Sequence, residues 1–143
     1  MRVWRLTRMP FADLSGAGAD LHGGRWTSPR TPVVYAAIDA ALAALEVRAN
    51  LDLGFDLLPD DYVLLGIDTN YLGFEDAPAL TDGGECRTFG DRWLCEGRSA
   101  LLRVPSVVMP ESHNILINPR HRDARHARIA CQRPWRYAPC ASH

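Results

Sequence analysis

The chain contains no lysine: every one of its 16 basic side chains other than histidine is arginine. That excludes any mechanism built on a lysine nucleophile or Schiff base. Long apolar runs are also missing. Nothing approaches the ~20 consecutive apolar residues that a membrane-spanning helix requires. The opening Met1-Arg2-Val3-Trp4-Arg5 lacks the apolar core and small-residue cleavage site of a secretory signal, so a cytoplasmic location is expected. Cysteine is scarce: Cys86, Cys95, Cys131 and Cys140 form two pairs, each nine positions apart. Zinc sites favour pairs two to four residues apart, and disulfide frameworks belong to small secreted chains. No metal is expected, and the thiols are read as buried or idle.

What is present is the composition of an ordinary globule, 47% apolar and 23% charged in 143 residues. One domain over 1–143 is expected, long enough to bury roughly 70% of its unfolded surface. The net charge of −1 hides an asymmetry. Residues 1–119 carry 10 Arg against 16 acids, giving −6; residues 120–143 carry 6 Arg against Asp123, giving +5.

Short apolar runs punctuated by Gly and Pro predict strands at 3–6, 32–35, 62–67, 101–104, 107–109 and 115–117. Residues 13–24 and 70–92 read as loops, and 93–99 as a short helical turn. Asp39 is placed to cap a helix running from Ala40 to about Asn50, in a stretch of Ala and Leu. The tail over 120–136 reads equally as helix or strand. The fold class expected is α+β, with a mixed or antiparallel sheet and few helices.

Four side chains stand out. Arg25 follows Gly23-Gly24, where the backbone can turn tightly or let a ligand approach; its planar fork suits a pyrophosphate or carboxylate. Tyr35 lies at a strand end, 11 residues before Glu46. Glu46 belongs to a helical stripe with positions 38, 42, 45 and 49 that should face the core, where a carboxylate needs a partner or a task. Ser106 follows Val104-Pro105, so its hydroxyl is presented in a defined direction. No Gly-x-Ser-x-Gly elbow surrounds it, and nothing arranges His113 or His121 as a general base. The plainer readings are a surface Arg, a core Tyr, a paired Glu and a turn Ser.

Taken in order, Trp4-Arg5, Gly23-Gly24-Arg25-Trp26, Val34-Tyr35-Ala36, Ala44-Leu45-Glu46, Trp93, Leu102-Arg103-Val104-Pro105-Ser106 and Asn114 to Pro119 with His121 resemble the RES-domain family of bacterial toxins. The resemblance spans nearly the whole chain. It implies an ADP-ribosyltransferase-like core and depletion of NAD+ by cleavage of the nicotinamide–ribose bond. It implies no cofactor, NAD+ being the substrate and inorganic phosphate a candidate co-substrate. The partner it implies is a cognate antitoxin with a helix-turn-helix DNA-binding domain. By position the family's Arg, Tyr, Glu and Ser fall on Arg25, Tyr35, Glu46 and Ser106. On that reading Glu46 stabilises the ribosyl cation and Arg25 clamps the pyrophosphate. Tyr35 packs on the nicotinamide or ribose, and Ser106 bonds a phosphate or the carboxamide. The family's closing aromatic–x–Asp–x–Arg-Leu phrase is replaced by Arg133-Pro134-Trp135-Arg136-Tyr137-Ala138-Pro139-Cys140.

Three other readings stand beside this one. A protein-modifying ADP-ribosyltransferase would use the same residues. A nucleic-acid-binding module is suggested by the Arg-rich tail, but no interleaved aromatics support direct binding. An RNA-cleaving toxin would want a histidine or an acid pair that is not evident.

Overall fold

The computed structural model describes residues 1–17, 24–51 and 54–137. Seven strands form one mixed sheet: β1 (Arg2–Arg8), β2 (Val34–Ala37), β3 (Tyr62–Asp68), β4 (Phe74–Asp76), β5 (Leu101–Pro105), β6 (His113–Ile117) and β7 (Arg128–Pro134), in the order β4-β5-β6-β2-β1-β3-β7. All neighbours run antiparallel except the short edge pair β4 and β5. Two α-helices are described, α1 (Ala40–Leu51) and α2 (Gly83–Glu96). The α+β class with a mixed sheet and few helices is therefore what forms.

The pairing is unequal. β1 matches β3 along its whole length, from Arg2 opposite Asp68 to Arg8 opposite Tyr62. β2 matches β6 from Val34 opposite Ile117 to Ala37 opposite Asn114. Between β1 and β2 the register holds only at Trp4 opposite Ala37. Beyond that rung the two central strands part.

Strand alternation sorts the side chains onto two faces. Val3, Val34, Ala36, Leu65, Ile115 and Ile117 form one apolar layer, covered by Ala12, Leu14, Leu72 and Ile129. The other face carries both helices. Leu42 and Ala43 of α1 pack on Leu6, Ala37, Tyr62 and Leu64. Cys86 and Trp93 of α2 pack with Trp26, Val33, Leu102, Val104 and Leu116.

Helix α1 begins as its sequence dictates: the Leu42 backbone N–H donates to Asp39 Oδ1 at 2.7 Å. The rest of the stripe is shifted. Ile38 and Ala49 are exposed, and the inward face runs through Leu42, Ala43 and Glu46.

Several expectations need correction. The loop expected over 70–92 holds β4 and most of α2, and the turn expected from Trp93 is the end of that helix. Gly83 and Gly84 mask its start, which Asp82 caps by accepting from the Glu85 N–H at 2.9 Å. Cys86 and Trp93, two turns apart, supply its buried face. Gly97, at φ 61°, ends it with its N–H on the Trp93 carbonyl. Val107 to Met109 form an exposed connection between β5 and β6, not a strand; Pro105 and Pro110 bracket them without a partner strand. The undecided tail becomes β7 after a 3₁₀ turn over Ala124–His126. Cys86 is buried and free, Cys95 and Cys131 are exposed and free. Gly18, Gly23 and Cys140 lie outside the described residues.

Helix α2 sits so close to the 24–27 segment that a Cβ on Gly90 would lie 1.7 Å from the Trp26 carbonyl oxygen. That neighbour is backbone and cannot swing aside. Gly90→Ala should therefore lower stability by about 1–3 kcal/mol or more, as overpacking does. Urea unfolding of both proteins would measure it, and equal midpoints would exclude this close contact.

Candidate active site

A cavity of about 790 Å³ opens on the helical face, above and between the parted strands β1 and β2. β1 contributes Arg5, Leu6 and Thr7; β2 contributes Tyr35 and Ala36; α1 contributes Glu46. That volume suits a small-molecule ligand. Among the described residues, three charged side chains line it, Arg5, Arg25 and Glu46.

Glu46 is the most tightly specified of the four expected residues. Its Oε1 accepts from the Ser106 hydroxyl at 2.5 Å and from Asn114 Nδ2 at 2.9 Å. Oε2 receives no hydrogen bond from a described residue. One carboxylate oxygen is thus pinned and the other is left to the cavity. The partner that a half-buried Glu requires is a pair of neutral donors, and no described Arg forms an ion pair with it. Arg48 turns away and lies 5.9 Å from the Phe55 ring centre.

Ser106 is placed behind Glu46, not beside the ligand space. It is 2% exposed and does not line the cavity. Its Oγ donates to Glu46 and accepts the Met109 N–H at 3.0 Å. Pro105 ends β5 and sets the direction of that hydroxyl. Asn114 pairs with Val104 on β5 and with Ala37 on β2. Sequence reasoning gave it no role; the available signal was an amide directly before the apolar run Ile115-Leu116-Ile117. Its Oδ1 is buried with no partner among the described residues. An orphaned acceptor of that kind costs roughly 1–3 kcal/mol. It persists because rotating the amide would set Oδ1 against the Glu46 carboxylate.

Tyr35 and Arg25 belong to a second constellation. Gly24 and Thr27 exchange backbone hydrogen bonds at 3.0 and 3.4 Å, closing a tight turn with Arg25 at its tip. Trp26 anchors the turn, buried and edge-on to Phe89 at 6.1 Å. Ser28 ties it to α2 through both oxygens of Asp91. The Tyr35 hydroxyl meets Thr27 Oγ1 at 2.7 Å, and its ring lies against Gly24, where a Cβ would approach the hydroxyl to 2.5 Å. The close approach that the glycine permits is therefore to Tyr35. Arg25 itself is exposed, with Nη2 donating to the Thr81 carbonyl at 3.0 Å.

Burial raises the Tyr35 phenol above its ordinary value, outweighing the bond from Thr27 and the Trp26 backbone; burial does the same to Tyr62. A phenol that stays protonated in the folded chain while ionising in the unfolded one favours unfolding as pH climbs. Its contribution is intact below about pH 10 and is lost progressively above it. Tyr35→Phe should cost about 1 kcal/mol at neutral pH through the lost Thr27 bond. It should also make the alkaline fall in stability shallower, the remainder coming from Tyr62. Urea midpoints at roughly pH 8 and pH 10.5 would test this; an unchanged alkaline slope would contradict it.

The geometry can be set beside known proteins. The RES domain profile matches residues 2–139. A protein of Sphingobium sp. (strain YBL2) named Prs ADP-ribosylating toxin is 39% identical, over 89% of this chain and 85% of its own. Toxin Res of Pseudomonas putida is 38% identical, over 90% of this chain and 92% of its own. Among solved structures, the Mycobacterium tuberculosis MbcT–MbcA toxin–antitoxin complex contains a chain of the same fold. It has a TM-score of 0.80 and 20% identity, across 94% of this chain and 84% of that one. By the extent of the profile match and the identity of these relatives, the chain belongs to the RES-domain family of toxins.

Proposed function

We propose that this toxin consumes NAD+ by breaking the bond between nicotinamide and ribose C1′, passing the ADP-ribosyl group to water or inorganic phosphate. The observation that carries the reading is Glu46: one oxygen held by Ser106 and Asn114, the other open to a cavity that also holds two guanidiniums. When the C1′–N1 bond breaks, its electron pair leaves with the nicotinamide, which departs neutral. No acid is required. Positive charge develops on the ribose, as in other glycosyl transfers. A fixed carboxylate oxygen near C1′ stabilises charge that appears only in the transition state. Water then forms its bond to C1′ and releases its proton to solvent, whereas an ionised phosphate oxygen forms that bond with no proton to shed.

The remaining residues take roles that fit their surroundings. Arg25, on its turn at the exposed rim, holds the pyrophosphate. Tyr35, with its hydroxyl engaged by Thr27, offers its ring to the nicotinamide or ribose. Ser106 is a positioning residue, since its hydroxyl is committed to Glu46 and Met109. No cofactor is assigned, and phosphate enters only as an acceptor. We also propose a cognate antitoxin as partner, with a helix-turn-helix DNA-binding domain; the related fold was solved as part of a toxin–antitoxin complex. The exposed Val107 and Val108 at the cavity lip, with Met109 exposed next to them in sequence, offer an apolar surface to such a partner.

The name of the Sphingobium relative favours a second reading, transfer of ADP-ribose to a protein. Incubation with NAD+, with and without phosphate and with a cell extract, separates the two: free ADP-ribose or its 1-phosphate supports the first, an adduct on a protein the second. Glu46→Gln keeps the shape and removes the charge. It should lower kcat by roughly 10²–10³ with little change in KM. Ser106→Ala should lower kcat by about 10-fold through loss of one hydrogen bond to a charged group, again at unchanged KM. Wild-type turnover in Glu46→Gln would remove the carboxylate from the mechanism.

A further inference from the structure

Arg5 is a guanidinium to which the chemistry above gives no task. Nη1 donates to the backbone carbonyls of Phe11 at 2.8 Å and Asp13 at 3.1 Å. A carbonyl tether fixes the direction of the group without cancelling its charge. No carboxylate among the described residues forms an ion pair with Arg5. On the same strand, Arg2 pairs with Asp68 and Arg8 with Asp61, while Arg98 pairs with Glu75 of β4 and Glu96 of α2, and Arg103 with Asp76 of β4. Burial pushes the Arg5 pKa down, opposed only by Asp13. A guanidinium nonetheless stays protonated in proteins, so the charge persists. Holding it half-buried and unneutralised is costly, and a bound anion offsets that cost.

Its position gives the anion an address. Arg5 alternates with Trp4 and Leu6, which lie under α1, so with Val3 it points to the opposite face. It nevertheless lines the cavity, and it does so where β1 has parted from β2. Nε and Nη2 make no hydrogen bond with a described residue. Arg25 reaches the same cavity from the 24–27 turn at its rim.

We infer that Arg5 contacts the substrate: its free guanidinium nitrogens bind a phosphate oxygen of the dinucleotide at the floor of the cleft, while Arg25 holds the pyrophosphate from the rim. This rests on NAD+ being the substrate. Two forks on different elements would grip the two phosphates and leave Glu46 free of ion pairing.

The test is steady-state kinetics on the full chain with NAD+. Arg5→Gln should raise KM by roughly 10- to 100-fold with a smaller effect on kcat, the size of a lost charge-assisted hydrogen bond. Arg5→Lys should recover part of that loss. Arg8→Gln, on the same strand but outside the cavity, should leave KM unchanged. Product inhibition adds a readout that a merely structural role would not move. Inhibition by ADP-ribose should weaken by a similar factor in Arg5→Gln, while inhibition by nicotinamide, which has no phosphate, should not. A folded Arg5→Gln with wild-type KM, or equal weakening for both inhibitors, overturns the assignment. If Arg5→Gln does not fold, a crystal structure of the wild-type chain with ADP-ribose decides. A phosphate oxygen within about 3 Å of Arg5 supports the inference, and phosphates bound away from it overturn it. A wild-type chain inert toward NAD+ would fell the activity reading and this inference with it. Turnover by the wild type with Arg5→Gln unaltered would fell this inference alone.

Discussion

A single rung, Trp4 opposite Ala37, joins the two halves of the sheet. On one side of it β1 is braced along its whole length by β3; on the other β2 is braced by β6. Each half satisfies its own ladder, so the centre of the sheet can open without unravelling either. Helix α1 keeps the opening at a fixed width, because Leu42 and Ala43 pack at once on Leu6 of β1, Ala37 of β2 and Leu64 of β3. The cavity is thus a designed gap in a β-sheet. An open strand edge presents unpaired backbone groups, a liability on a surface. Inside a cleft the same groups are available to a ligand.

The carboxylate clamp uses the β5–β6 side of that sheet. Ser106 and Asn114 come from the ends of β5 and β6, which pair with each other from Leu101 opposite Ile117 to Pro105 opposite His113. Glu46 comes from the helix across the gap. Two neutral donors on one oxygen fix the side chain without neutralising it, whereas an arginine partner would have fixed it and spent its charge. This distribution explains why the chain's acids and arginines pair so freely on the surface, at Arg2, Arg8, Arg98 and Arg103, and not around the cavity.

Legibility in the sequence followed the strength of local signals. Glu46 was readable because a carboxylate in an Ala/Leu run has few innocent explanations. Arg25 and Tyr35 were readable through the glycine beside them, although the ligand that Gly24 admits is Tyr35 itself. Helix α2 was hidden because its first turn is Gly83-Gly84, poor helix formers, and its buried face reduces to Cys86 and Trp93 with Gly90 between. Tertiary contact with Trp26 demands that last glycine, and no local propensity could announce it. Arg5 was hidden for a different reason. In Val3-Trp4-Arg5-Leu6 it reads as the polar member of an alternating strand, and its consequence depends on where β1 leaves β2. Asn114 carries its meaning only through Glu46, 68 residues away.

The chemistry proposed asks little of the protein, and the site is built to that demand. On that proposal nicotinamide leaves as a neutral molecule, so no proton donor need be poised beside it, which fits a cavity whose charged lining among the described residues is two guanidiniums and one carboxylate. NAD+ brings two phosphate charges and one pyridinium charge, a net of −1 that two guanidiniums beside one carboxylate would complement. Placing the cations on β1 and on the 24–27 turn separates them from Glu46 on α1. On the proposed chemistry the pyrophosphate and the reacting ribose would be held by different elements, and binding energy collected at the phosphates would fix C1′ against a carboxylate oxygen that does not move. A freely rotating Glu would surrender part of that advantage by turning toward either arginine. The hydrogen bonds from Ser106 and Asn114 prevent it, which makes the buried serine a matter of orientation and not of contact with substrate.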